Sequence, residues 1–104
     1  MLASTGQRRA PALPTVATVS EQGLKDFDVA AWNGMVVPVG TPTAVIERLN
    51  TSLRRACADP LILEKMNAAG VDAAPSTPAE FGVFMQSEVQ KWAKAVAQAG
   101  VQLD

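Results

Sequence analysis

The sequence predicts an α/β chain in which about three helices pack on one main strand and one or two short strands. One β-rich run, Phe27–Val37, is the convincing strand, and Gly34 inside it indicates a bend or a close backbone approach. Three helix-start signals follow it, each a threonine or an aspartate directly before a proline. They are Thr41-Pro42, Asp59-Pro60 and Thr77-Pro78. The predicted order is connector, strand, helix, helix, short strand and helix.

The main strand predicts a need for partners. Its side chains alternate, with Phe27, Val29 and Ala31 on one face and Trp32 on the other, and regular pairing should end at Pro38. One strand cannot satisfy its own backbone N–H and C=O groups, and an isolated strand pair is marginal. Because the sequence supplies few other strands, we expect the chain to be part of something larger.

The residues before the main strand predict a connector with little regular structure. Leu2–Thr5 is a candidate short strand. Thr18 and Glu21 have the spacing of a capping box, and Gly23 is a plausible stop. These signals predict a single helical turn at Val19–Gln22.

The first two helices are predicted from their end signals. Thr41 is expected to cap the first helix, with Pro42 as its first residue and its end near Ala58. Asp59-Pro60 repeats the same logic and opens a shorter helix, for which Gly70 is a natural stop.

The third helix has the strongest local signal in the chain. Thr77 is the expected N-cap, Pro78 the first helical residue and Glu80 the reciprocal partner of a capping box, and Gly100 follows the helix. Its predicted apolar stripe consists of Phe81, Phe84, Met85, Val89, Trp92, Ala93 and Val96. Two further extended segments are predicted, Val71–Ala74 and Val101–Leu103.

Composition limits the function classes. The 104 residues suit one domain, and a net charge of −1 offers nothing to attract nucleic acid. Cys57 is better interpreted as a small buried filler than as a nucleophile, because the sequence has no histidine to activate it. No apolar run has the length of a membrane span, and the N-terminus lacks the apolar region of a signal peptide.

The acidic residues do not predict an enzyme, a metal site or a cofactor site. Asp26 and Asp28 lie two apart beside the strand, where a solvated edge is favoured over a general-acid pair or a metal site, because no third ligand is near. Glu80 is interpreted as a helix cap and Glu88 as a surface charge, while Trp92 is expected to pack in the core.

A set of short matches, taken in order, carries a family resemblance. They are Leu13–Gly23 (P-x-VPT-x-x-E-x-G in the family), Trp32-Asn33-Gly34 with Val37–Pro42 (W-x-G…P-x-GTP), Arg48-Leu49-Asn50, Ala58-Asp59-Pro60, Pro78–Phe81, Glu88, Trp92 and Ala99-Gly100-Val101. The chain resembles the carboxy-terminal portion of the tripartite tricarboxylate transporter substrate receptors, the Bug or TctC-like periplasmic binding proteins. It departs from the pattern at Ala17, where proline is usual, and at Asn33, where an aromatic residue is usual.

The resemblance implies the carboxy-terminal fragment of a two-lobed α/β fold of the periplasmic-binding-protein type. Residues 1–26 would be a connector and residual piece of the second lobe, and residues 27–104 the terminal strand-helix-helix-strand-helix part of the first. The strand at Phe27–Val37 would be the return crossing between lobes, and its strand neighbours would lie outside this chain.

The resemblance also implies partners and a site. The receptor would be periplasmic and would deliver a small organic acid to membrane transporter subunits, while the fragment itself is not expected to be binding-competent. Trp32 and Asn33 are the hinge-region candidates for ligand contact, although packing is favoured for Trp32. The alternative function is a free-standing small α/β interaction module that homo-oligomerises through exposed strand edges or helical stripes.

Overall fold

Three α-helices lie in the part of the chain that the computed structural model describes, residues 2–100. They are α1 (Thr43–Ala56), α2 (Pro60–Ala68) and α3 (Pro78–Ala99). Their number and order are as predicted. The helices touch one another only sparsely, so they do not form a bundle with a common interior.

The start of α3 is the predicted capping box. The Thr77 hydroxyl accepts from the Glu80 N–H at 3.2 Å, and the Glu80 carboxylate accepts from the Thr77 N–H at 2.8 Å. The backbone and side-chain hydrogen bonds from Thr77 hold the pKa of Glu80 below its usual value. Pro78 is the first helical residue, and Gly100 ends the helix in a left-handed conformation with φ of 64°.

The ends of α2 also confirm the prediction. The Asp59 carboxylate accepts from the Leu61 N–H at 2.9 Å, and Pro60 is the first helical residue. Gly70 follows the helix with φ of 73°, a backbone conformation that glycine adopts without a steric penalty.

The predicted cap of α1 is wrong by one residue. The helix begins at Thr43, and Pro42 occupies the N-cap position without a side-chain hydrogen bond. The Thr41 hydroxyl donates to the Pro38 carbonyl at 2.8 Å, so its side chain is directed toward the preceding turn. The helix ends at Ala56, two residues before the predicted end.

The amino-terminal residues are held by one parallel β-bridge between Ser4 and Thr18. The Ser4 N–H donates to Ala17 and the Val19 N–H donates to Ser4, both at 2.9 Å. The predicted reciprocal pair is present, with the Glu21 carboxylate 2.7 Å from the Thr18 N–H and the Thr18 hydroxyl 3.0 Å from the Glu21 N–H. At the predicted helical turn Val19–Gln22 the chain forms hydrogen-bonded turns that do not extend into a helix. The Gln22 N–H donates to the carbonyls of Thr18 and Val19, both at 3.2 Å.

The predicted main strand is not confirmed as a strand within this chain. Val29 donates its N–H to Thr5 at 2.8 Å, but residues 30–37 make no backbone–backbone hydrogen bond among the described residues. Val71–Ala74 likewise forms no ladder, and Val101–Leu103 lies outside the described residues. A strand is defined by its pairing, and the single bond from Val29 to Thr5 does not form a ladder in the described part of the chain.

The described chain leaves its apolar surface open. No hydrophobic residue in it is fully buried. The accessible surface is 8641 Å², whereas a compact protein of this mass exposes about 5,600 Å². The radius of gyration is 16.8 Å, against roughly 13 Å for a compact domain of this length. The helices therefore do not close a core by themselves.

The capping box gives a first testable prediction. Thr77→Ala should destabilise the start of α3 by about 1 kcal/mol, because the Glu80 N–H loses its acceptor. Thermal unfolding followed by circular dichroism at 222 nm is the measurement. Thr77→Ser keeps the hydroxyl and should melt like the unaltered chain. Identical melting curves for all three proteins would contradict the role given to the box.

Candidate functional site

Three aromatic side chains bring the extended segment onto α3. The Trp32 ring meets Phe84 at a centroid distance of 5.2 Å and Phe81 at 5.7 Å, both in edge-to-face geometry. Phe81 and Phe84 are roughly parallel, with centroids 6.3 Å apart. These spacings lie in the range that aromatic pairs favour. Phe81, Phe84 and Trp32 therefore form the apolar half of the candidate site.

Gly34 allows this approach. A Cβ atom at this position would overlap the ring of Phe81. Of the two sequence interpretations of Gly34, a bend or a close backbone approach, the structure confirms the close approach.

The polar half of the site is the carboxylate of Glu88, which is 7% exposed. One of its oxygens accepts from the indole N–H groups of Trp32 and Trp92, each at 3.2 Å. The other oxygen pairs with the ammonium of Lys91. Lys91 also donates to the backbone carbonyl of Asp28 at 3.2 Å, so the extended segment is held at two points.

These contacts favour the charged form of Glu88. The hydrogen bond from Lys91 is the main cause of a lowered pKa, and the two indole donors lower it further, against the opposing effect of burial. A buried carboxylate is costly unless its oxygens are bonded, and here both are. The cluster of Trp32, Phe81, Phe84, Glu88, Lys91 and Trp92 is called the indole–carboxylate cluster below.

The structure separates the two predicted site residues. Trp32 belongs to the indole–carboxylate cluster, but Asn33 is exposed and is not among its contacts. Their proposed contact with a ligand stays a prediction.

Sequence reasoning misplaced two residues of α3. Glu88 was expected as a surface charge and is buried, and Trp92 was expected in a core but is 46% exposed. Trp92 four residues after Glu88 was a usable signal, because side chains at that spacing meet on a helix. Trp32 lies 56 positions away in sequence, and no local pattern predicts that contact.

A concavity separate from the indole–carboxylate cluster lies beside the start of the extended segment. It measures about 390 Å³ and is lined by Gln7, Ser20, Asp26, Phe27 and Asp28. Asp26 has a positive φ of 60°, which is uncommon outside glycine. Two carboxylates at its rim make it a poor receiver of an anionic group.

In the described residues no three metal-ligating side chains come together, and none of the helices there is long and apolar enough to span a membrane.

The family follows from comparison with known proteins. Residues 1–101 match the model of the tripartite tricarboxylate transporter family receptors, and the chain belongs to that family. An Agrobacterium vitis protein of the UPF0065 group is 37% identical over an alignment 101 residues long, which covers 94% of this chain and 29% of the relative. BugT of Bordetella pertussis is 29% identical over 98% of this chain and 31% of its own length.

Two solved structures share the backbone arrangement. The periplasmic binding protein BugD is 35% identical with a TM-score of 0.79, over 96% of this chain and 34% of the BugD chain. R. palustris Rpa4515 with adipate is 27% identical with a TM-score of 0.81, over 95% of this chain and 33% of its own. The chain thus has the fold of part of a periplasmic binding protein and spans about a third of the proteins it matches. The members of the family are receptors, and BugD is a periplasmic binding protein.

Gly34 gives the second prediction. Gly34→Ala should destabilise the chain by about 1–3 kcal/mol, because the Phe81 ring must leave its place against Trp32. Gly82→Ala, inside α3 with no atom near the added methyl, is the matched control and should stabilise by about 0.5–1 kcal/mol. Thermal unfolding measures both, and equal melting temperatures for the two variants would contradict the close approach at Gly34.

The third prediction concerns pH. The folded-state pKa of Glu88 is lowered, so its stabilising contacts are complete above the ordinary glutamate pKa and are lost as pH falls through the lowered value. Tryptophan emission should therefore stay constant from neutral pH down to about 4.3, the ordinary glutamate value, and shift to the red only below it.

Lys91 decides the position of that acid transition. Lys91→Met removes the main cause of the lowered pKa, so the transition should move to higher pH. Lys94→Met removes the same charge one turn further along α3 and should leave the transition in place. A common midpoint for the two variants would show that Lys91 does not tune the carboxylate.

Proposed function

We propose that this chain forms part of an extracytoplasmic solute receptor that binds small carboxylates for a tripartite tricarboxylate-type transporter. The observation that carries the proposal is the family match over residues 1–101. The structural likeness to a protein solved with adipate supports a dicarboxylate as the class of ligand. The family description supports a membrane transporter as the partner, and the name of BugD supports a periplasmic location.

In this proposal the chain supplies about a third of the receptor. Residues 1–26 connect to the second lobe, and residues 27–104 form the terminal elements of the first. Residues 30–37 support this division, because their backbone groups have no backbone partner among the described residues and are available to strands from the rest of the receptor. The open face of α3 supports it as well, since Val83 and Val89 are each about 70% exposed.

The same observations support the inference that the chain alone does not bind the ligand. Small-molecule sites are concave and bury most of their ligand. One concavity in the described residues has an acidic rim. Another, of about 420 Å³, lies open on α3 along Gly82, Met85, Gln86, Val89 and Gln90. Neither is lined by a lysine or an arginine that would hold a carboxylate.

Calorimetry tests the inference about the isolated chain. Titration with adipate, succinate, citrate and glutamate should give no heat of binding at micromolar ligand. Micromolar binding by this chain alone would contradict the view that the ligand site needs the rest of the receptor.

A chimera tests the receptor assignment itself. Rpa4515 in which the matched third is replaced by this chain should fold and bind adipate within about tenfold of unaltered Rpa4515, a difference of about 1.4 kcal/mol. Unaltered Rpa4515 is the positive control, and this chain alone is the negative control. A chimera that is folded by circular dichroism but does not bind adipate would overturn the assignment of this chain as a receptor scaffold.

A further inference from the structure

The extended segment 28–34 has two polar attachments to α3, one made directly to Glu88 and one made to Lys91, the ion-pair partner of Glu88. Trp32 donates its indole N–H to Glu88, and the Asp28 carbonyl is bonded to Lys91, which is itself paired with Glu88. The two polar attachment points of the segment therefore converge on one carboxylate. Trp92 donates to the same oxygen of Glu88 as Trp32 does and comes from α3.

The apolar contacts of the segment are less directional. Trp32 is 43% exposed, so its ring is not enclosed on all sides. Aromatic pairs tolerate a range of offsets and angles, whereas an indole N–H must point at its acceptor. The direction of the Trp32 ring, and with it the path of the backbone on either side, therefore depends on where the acceptor lies.

Removal of the acceptor would leave several groups without partners. The indole N–H groups of Trp32 and Trp92 would compete for water at a partly buried site, and the Lys91 ammonium would lose its counter-charge. Buried donors without acceptors are costly, so the segment would move until these groups reach solvent.

We propose that Glu88 is a positioning residue that fixes the path of segment 28–34 across α3. The functional consequence rests on the proposed receptor: where this segment carries the chain between the two lobes, Glu88 sets the direction in which it leaves the first lobe. Glu88 acts through Trp32 and Lys91 and needs no contact with the ligand.

Nuclear magnetic resonance of the full chain tests this role without a ligand. The chain has two tryptophans, so two indole N–H signals report the two donors. Contacts between Gly34 and the Phe81 ring, seen as cross-relaxation peaks, report the position of the segment. Glu88→Leu should shift both indole signals, speed their exchange with water on the order of tenfold, and weaken the Gly34–Phe81 peaks.

Two further variants make the test specific. Glu88→Gln keeps a carbonyl oxygen and should give intermediate indole shifts and partly retained Gly34–Phe81 peaks. Glu64→Leu removes a carboxylate from α2 and should leave both indole signals unchanged. Unaltered indole signals and Gly34–Phe81 peaks in Glu88→Leu would overturn the proposal, because the aromatic contacts alone would then position the segment.

A variant on the segment separates positioning from folding of α3. Trp32→Phe keeps an aromatic ring and an intact Glu88, but it removes the donor on the segment. The Trp92 indole signal and the helical chemical shifts of α3 should persist, while the Gly34–Phe81 peaks weaken. Full retention of those peaks would overturn the proposal even where Glu88→Leu unfolds the helix. None of these outcomes depends on adipate binding by the chimera, so the two proposals can fail separately.

Discussion

The carboxylate of Glu88 joins the two parts of the chain that carry its aromatic residues. It lies on α3 and accepts from Trp32 on the extended segment, while Lys91 ties the same segment through the Asp28 carbonyl. A buried carboxylate is stable only when donors surround it, so each of these partners is constrained by the others. The close approach of Gly34 to Phe81 follows from this arrangement, because the segment must run near the surface of α3.

This attachment leaves much of the molecule open. The helices touch one another sparsely, and no hydrophobic residue in the described range is fully buried. The backbone groups of residues 30–37 make no backbone–backbone hydrogen bond in that range. Unpaired extended backbone and exposed apolar faces are features that proteins normally cover. The family members that this chain matches are about three times as long, and their additional residues are the natural cover in the receptor that we propose.

The receptor proposal assigns the chain a scaffold role. Its described concavities are open or acidic, and the carboxylate of the indole–carboxylate cluster is bonded by the cluster's own donors. Such a cluster holds an element in place rather than receiving a ligand. The proposed division of labour is therefore that this chain directs the segment between the lobes, while other parts of the receptor supply the groups that hold the carboxylate.

The amino-acid sequence by itself determined the helices and the family. Thr77 with Glu80, Asp59 with Pro60, and the glycines at 70 and 100 act within four residues of one another or alone, so their effect can be read locally. Even so, Thr41 was misassigned, because the helix begins one residue later than predicted and the Thr41 hydroxyl bonds to the Pro38 carbonyl in the turn before it. The tertiary structure alone decided that Glu88 is buried, that Trp32 reaches it and that Phe27–Val37 has no ladder. Each of these depends on contacts between residues distant in sequence, or on strands that the described chain does not contain, and no local pattern encodes them.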